Sequence, residues 1–139
     1  MNKKAIQLDL FHPQSLNPTY EIKRALRLSL SKTHLSRDQV VDAMNKVASS
    51  EGMRKNISKA TLDNWTKDSD PDRLPSLPWL TIFCCVLNDA DPVATIIRTL
   101  GYDLIDERRK ALLVWAEAEL NRKKAIKRAK NALAIAEEF

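Results

Sequence analysis

Apolar residues return every three or four positions along most of this chain. Nowhere do Val, Ile and Thr alternate with polar residues as a half-buried strand demands. Only two Gly interrupt the 139 residues, and the six Pro cluster at a few places. The pattern predicts an all-α protein: a bundle of five helices, a long C-terminal helix and an extended N-terminal arm. A chain of this length suits one small domain with an appendage, and it can bury a core without metal or disulfides.

Start and stop signals divide the chain. Residues 1–17 read as a flexible N-terminal arm, 18–102 as the folded domain and 103–139 as the long helix. Asn17-Pro18 announces the first helix, which Pro18 or Thr19 starts and which ends near Lys32. Ile22, Ala25, Leu26 and Ser29 share its inner face, with Lys23, Arg24 and Arg27 expected to turn outward. Ser36 followed by Gln39 is a capping-box pattern, with Leu35 and Val40 as its hydrophobic staple. It opens a helix from Arg37 to about Ala48, carrying Val40, Met44 and Val47, and Gly52 is the stop signal.

Ser58 repeats this grammar as the N-cap of a short helix, Lys59 to Lys67, which DSDPD breaks. Leu62 and Trp65 face its core side, while Ala60, Asp63, Asn64 and Lys67 project opposite, with Lys59 near the start. A fourth helix opens near Ser76 or Leu77 with Pro78 in its first turn, and it buries Trp79, Ile82, Phe83 and Val86. Asp91 reads as the N-cap of a fifth, with Pro92 at N1 and Gly101 at C′.

From about Leu104 to Ala136 there is neither Gly nor Pro, and Ala, Leu, Glu, Lys and Arg dominate. A helix of that length reaches roughly 50 Å. Ala111, Ala118, Ala125 and Ala132 recur every seventh residue, and Trp115, Arg122, Ala129 and Ala136 interleave with them. This alternation is a heptad seam, flanked by Leu112, Glu119, Ile126 and Leu133. Two arrangements use it: pairing with a second copy, the favoured reading, or return of Leu112, Leu113 and Trp115 onto the bundle.

Function is bounded first by what is missing. Cys84 and Cys85 are adjacent, their side chains about 100° apart on a helix, and they read as reduced core residues. With His12 and His34 they have no zinc-ligand spacing. No phosphate-cradling Gly-rich loop or nucleophile–base pair stands out, so no enzyme, metal or cofactor is expected. The N-terminus lacks a signal-peptide core, and no apolar run approaches 18 residues, so a cytoplasmic protein is expected. A net charge of +5 and a pI near 9.3 are compatible with nucleic acid.

Two capped helices, a connection and a short helix with a polar outer face follow the order of a DNA-reading module. The first helix braces; the second enters the major groove, about 12 Å wide. On this reading Arg37 to about Ala48 braces and Lys59 to Lys67 reads. Asn64 offers a donor and an acceptor to one base, as adenine recognition requires. Lys59 and Lys67 meet phosphate or guanine, Ala60 lies on the same face, and Arg54 and Lys55 meet phosphates. Asp63 repels phosphate and must face a base amino group or solvent.

The stretches LSRDQVVDAMN, ISKATLDNWTK and RLPSLPWLTIFCCVLN resemble the phage-repressor-like helix-turn-helix family over roughly residues 20–100. The resemblance implies a compact five-helix bundle acting as a DNA-binding transcription regulator, often phage- or prophage-encoded. The family turns between its two helices within about four residues. Here KVASSEGMRKN lengthens the connection, so either the bracing helix is longer or the turn is an extended loop.

Two further features suggest partners. Arg122, Lys123, Lys124, Lys127, Arg128 and Lys130 place six bases in nine positions without an acid. They form either a solvated face or a contact with the DNA backbone. Gln7-Leu8-Asp9-Leu10-Phe11 resembles the bacterial sliding-clamp-binding peptide. That resemblance implies Gln7 at the pocket rim, Leu8 as anchor, and Leu10 and Phe11 in an apolar cleft. The alternative is that these apolar residues fold onto the bundle or a dimer partner. The motif makes a second function specific: a replication or transposition accessory factor that docks on the clamp.

Overall fold

The computed structural model describes residues 16–138, so QLDLF lies outside the described residues. Among these are six α-helices and no strand. Two compact units meet in sequence between Asp103 and Leu104. The first holds α1 (Thr19–Lys32), α2 (Arg37–Ser50), α3 (Lys59–Thr66), α4 (Leu77–Leu87) and α5 (Asp91–Thr99); the second holds α6 (Glu107–Glu137).

In the first unit α1 packs on α5 and α3, α2 on α4 and α3, and α4 on α5. The helical periodicity accounts for the core. Ile22 and Leu26 of α1, Val40, Val41, Met44 and Ala48 of α2, and Leu62 and Trp65 of α3 meet Trp79, Leu80, Ile82 and Phe83 of α4 in one cluster. Leu26, Val40, Met44, Leu62 and Phe83 are wholly removed from water. Val86, expected on the buried face of α4, is half-buried, and Leu80 takes its place.

The helix boundaries follow from their caps. Ser36 accepts from the Gln39 N–H, and the Gln39 side chain accepts from the Ser36 N–H, completing the capping box of α2. Leu35 stays 41% exposed, so the staple across that cap is only partly formed. Gly52 adopts φ +79°, with Gly52 N–H donating to Ser49 and Met53 N–H to Ala48. That is a Schellman ending. Gly101 ends α5 the same way at φ +84°, with Tyr102 N–H on the Ile97 carbonyl. Asn88, left-handed at φ 49°, closes α4.

Several expectations are corrected. Asp91 is the first residue of α5, not its cap; Ala90 holds that place, and the Asp89 carboxylate accepts the Asp91 N–H at 3.0 Å. Cys85 is exposed and Cys84 half-buried, so only Cys84 leans on the core, where burial pushes its thiol pKa up. Both are free thiols. Lys23 does not turn outward. It is fully buried, because α3 ends against α1 and leaves carbonyls there that need a donor.

In the second unit α6 begins at Glu107, later than expected, because Asp106 caps it by accepting the Arg109 N–H at 2.7 Å. None of its residues is buried. Among the described residues no helix is long and apolar enough to cross a membrane.

Candidate nucleic-acid interface

Serine at position 58 starts α3 by accepting the Thr61 N–H at 3.2 Å. The chain reaches that cap along a defined path. The Asn45 side chain both donates to the Ile57 carbonyl and accepts the Ile57 N–H, each at 2.9 Å. Asn45 thus pairs with Ile57 as a neighbouring strand would, and it delivers Ser58 to its capping position. The two alternatives for the long connection are both realised: α2 runs to Ser50, beyond Ala48, and 51–58 form an ordered loop.

An eight-residue helix is too short to hold its own shape, so its far end is tied by side chains. The last four carbonyls of a helix lack intrahelical donors. Here each one finds a side chain. The Thr66 hydroxyl donates to the Asp63 carbonyl at 2.9 Å. The Lys23 ammonium donates to Asn64 at 3.0 Å and Trp65 at 3.1 Å, and also to Arg73 in the following loop at 2.8 Å. The Arg27 guanidinium donates to Thr66 at 2.8 Å and pairs with Asp68 at 2.9 Å.

Lys23 carries three N–H donors, and three carbonyls take them, so its buried charge is fully hydrogen-bonded. Burial lowers its pKa from the usual lysine value; the Asp70 and Asp68 carboxylates pull it back up, and Arg27 adds to the lowering. A cation at a helix C-terminus also meets the negative end of the helix dipole.

With Leu62 and Trp65 held in the core, the other face of α3 turns outward. Lys59, Ala60 and Lys67 are exposed, and Asp63 and Asn64 are half-buried between them. Lys67 is the residue after the helix rather than its last turn. Arg54 and Lys55 are exposed in the preceding loop. The carboxylate of Asp63 turns to neither base nor solvent alone, for Arg37 at the start of α2 donates to it at 2.6 Å. The same guanidinium reaches the Thr66 hydroxyl at 3.2 Å. One residue of α2 therefore neutralises the only acid on the outer face of α3 and fixes the two helices together.

Sequence reading missed Lys23, Arg27, Arg37 and Asn45. A signal existed for Lys23, which stands four after buried Thr19 and three before buried Leu26, inside the apolar stripe. Arg37 and Asn45 left none, because their partners lie 26 and 12 residues away.

The charge is unevenly distributed. Residues 16–103 hold twelve basic and eleven acidic side chains, so this unit is nearly neutral. Residues 104–139 hold nine basic and six acidic. Arg122, Lys123, Lys124, Lys127, Arg128 and Lys130 are all exposed on α6, with Arg122 paired to Glu119 at 3.2 Å. Two surface grooves, one between α1 and α5 and one beside Asp89, involve no residue of α3. Among the described residues no group of His, Cys, Asp or Glu is placed to hold a metal ion.

Compared with protein-family models, with curated proteins and with solved structures, the chain shows no significant match.

Proposed function

We propose that this chain is a non-enzymatic transcription regulator of phage or prophage type that binds duplex DNA, reads the major groove with α3 and acts as a homodimer. The observation that carries the reading is the construction of α3. Its apolar side is locked into the core, its C-terminal carbonyls are all tied, and Lys59, Ala60 and Lys67 stand clear. Asn64 presents an amide to a base edge, and Arg54, Lys55, Lys59 and Lys67 attract phosphate. The basic run of α6 supplies backbone contacts away from the reading helix.

Selection from random duplex fragments at several salt concentrations tests the reading. One enriched palindromic site, bound more weakly as salt rises, is expected. Equal retention of all sequences, or no retention, rejects it.

A second reading rests on QLDLF: an accessory factor of replication or transposition docked on a bacterial sliding clamp. It expects clamp capture by the intact chain, lost in the Leu10→Ala plus Phe11→Ala variant. Absence of capture at micromolar clamp removes it.

A further inference from the structure

Along α6 large apolar side chains stand in water: Leu112 at 55% exposure, Val114 at 60%, Trp115 at 64%, Ile126 at 44%, Leu133 at 61% and Ile135 at 59%. They flank or occupy the seam of Ala111, Trp115, Ala118, Arg122, Ala125, Ala129, Ala132 and Ala136 for more than three heptads of unbroken helix. Leu113 and Leu120 fall on the opposite face of the helix and take no part.

We infer that this face is covered by the α6 of a second copy running antiparallel, with the two-fold axis between residues 123 and 124. The inference rests on the homodimer reading and adds its direction and register.

The pattern of the flanks selects the direction. Antiparallel pairing about that axis sets Leu112 against the partner's Leu133 and Val114 against the partner's Ile135. Apolar flanks meet apolar flanks at both ends, while in the middle Ile126 meets the partner's Glu119. In the seam Trp115 faces the partner's Ala132 and Arg122 the partner's Ala125, so each large residue finds a small one. Parallel pairing in register does the reverse. Val114 then meets the partner's Glu119, Arg128 meets the partner's Leu133, and two Arg122 guanidinia face each other across the seam.

Charge agrees. Parallel chains lay the run from Arg122 to Lys130 beside its own copy, twelve bases within about 12 Å of helix. Antiparallel chains instead set Glu137 on the side of the partner's Arg109 and Glu138 on that of the partner's Lys110, so opposite charges replace like ones at both ends. The two chains then enter the paired rod from opposite ends, about 50 Å apart.

The test has two arms on the full chain. In the first, nitroxide labels are placed singly at Leu113, Lys123 and Ala134 in a Cys84→Ala, Cys85→Ala background whose helicity is checked by circular dichroism. Antiparallel pairing expects separations of ~30 Å or more between copies at Leu113 and Ala134 and a much shorter one at Lys123. Equal short distances at all three overturn the direction while leaving the homodimer intact. A monomer by sedimentation overturns both.

The second arm keeps both cysteines. Glu137→Lys with Glu138→Lys should weaken self-association several-fold, and adding Arg109→Glu with Lys110→Glu to the same chain should restore it. Self-association unchanged by the first pair of substitutions overturns the antiparallel register, because in parallel chains those residues face only their own copies.

Discussion

Lys23 donates its ammonium to the main-chain carbonyl of Asn64 at 3.0 Å, so the first helix grips the segment that carries the proposed base-reading amide. The grip is buried and made entirely through backbone oxygens. It therefore orients the outer face of α3 without using any side chain on that face.

Replacing Lys23 by Met keeps the stem and removes the donors. The Trp65 and Arg73 carbonyls lose the Lys23 donor, and the Asn64 carbonyl keeps only the Lys67 N–H at 3.4 Å. Buried acceptors left unpaired cost about 1–3 kcal/mol each when relaxation does not rescue them. A loss of at least about 2 kcal/mol in urea unfolding is expected. Stability within about 0.5 kcal/mol of the parent would show that water or the loop satisfies α3 instead.

Asn64→Ala should leave unfolding within about 0.5 kcal/mol of the parent, since the Lys23 contact uses the Asn64 backbone, not its side chain. Base preference at one position of the selected site should relax by about 1–3 kcal/mol. An unchanged selected motif contradicts the assignment of Asn64 as reader.

The Arg37–Asp63 pair is short but a third exposed on each side, so solvent screens it. A double-mutant cycle should give a coupling of about 0.2–1 kcal/mol in stability. Its larger effect is expected on DNA. Arg37→Ala uncovers a negative charge on the outer face of α3 and should weaken binding, and Asp63→Asn in the same chain should recover it. No recovery would show that Arg37 acts by another route.

Replacing Arg122, Lys123, Lys124, Lys127, Arg128 and Lys130 together by Gln should lower the salt dependence of DNA binding. The slope falls by up to about five units if all six neutralise phosphate. Titration of binding against salt reads this directly, and an unaltered slope leaves the run as a solvated face.

Asp89 sits where α4 passes into α5 and takes a hydrogen bond from Ser29 of α1 at 2.7 Å. Burial alone raises its pKa. The Asp91 N–H, the Ser29 hydroxyl and the Lys32 charge outweigh burial and bring the carboxyl below its ordinary 3.8. A depressed folded-state value means the unfolded chain binds the proton first. The stabilisation is therefore present above pH 3.8 and is lost as pH falls through the lower folded value. Asp89→Asn should flatten this part of the acid unfolding curve. Parallel curves for the two chains over that range contradict it.

Much of the architecture was legible because helix signals are local. Ser36 with Gln39, Ser58 with Thr61, and the left-handed endings at Gly52 and Gly101 all act within about one turn, and each lies where its neighbours place it. The same holds for Leu62 and Trp65, three residues apart and both buried. Cys85 was misread because α4 is almost wholly apolar and its outer side is marked by one polar residue alone: Thr81, exposed and four residues from both exposed Leu77 and exposed Cys85.

The order of residues was enough to set the helices, most of their caps and the inward turn of α3, since those depend on spacing within a turn or two. It could not say that a lysine would be buried, that Arg37 would silence Asp63, or that Asn45 would steer Ile57. Those contacts join residues 12 to 50 apart and exist only once α1, α2 and α3 have packed. A hydrogen-bonding group is claimed by whichever unsatisfied partner folding brings near it, and that is a property of packing rather than of local sequence.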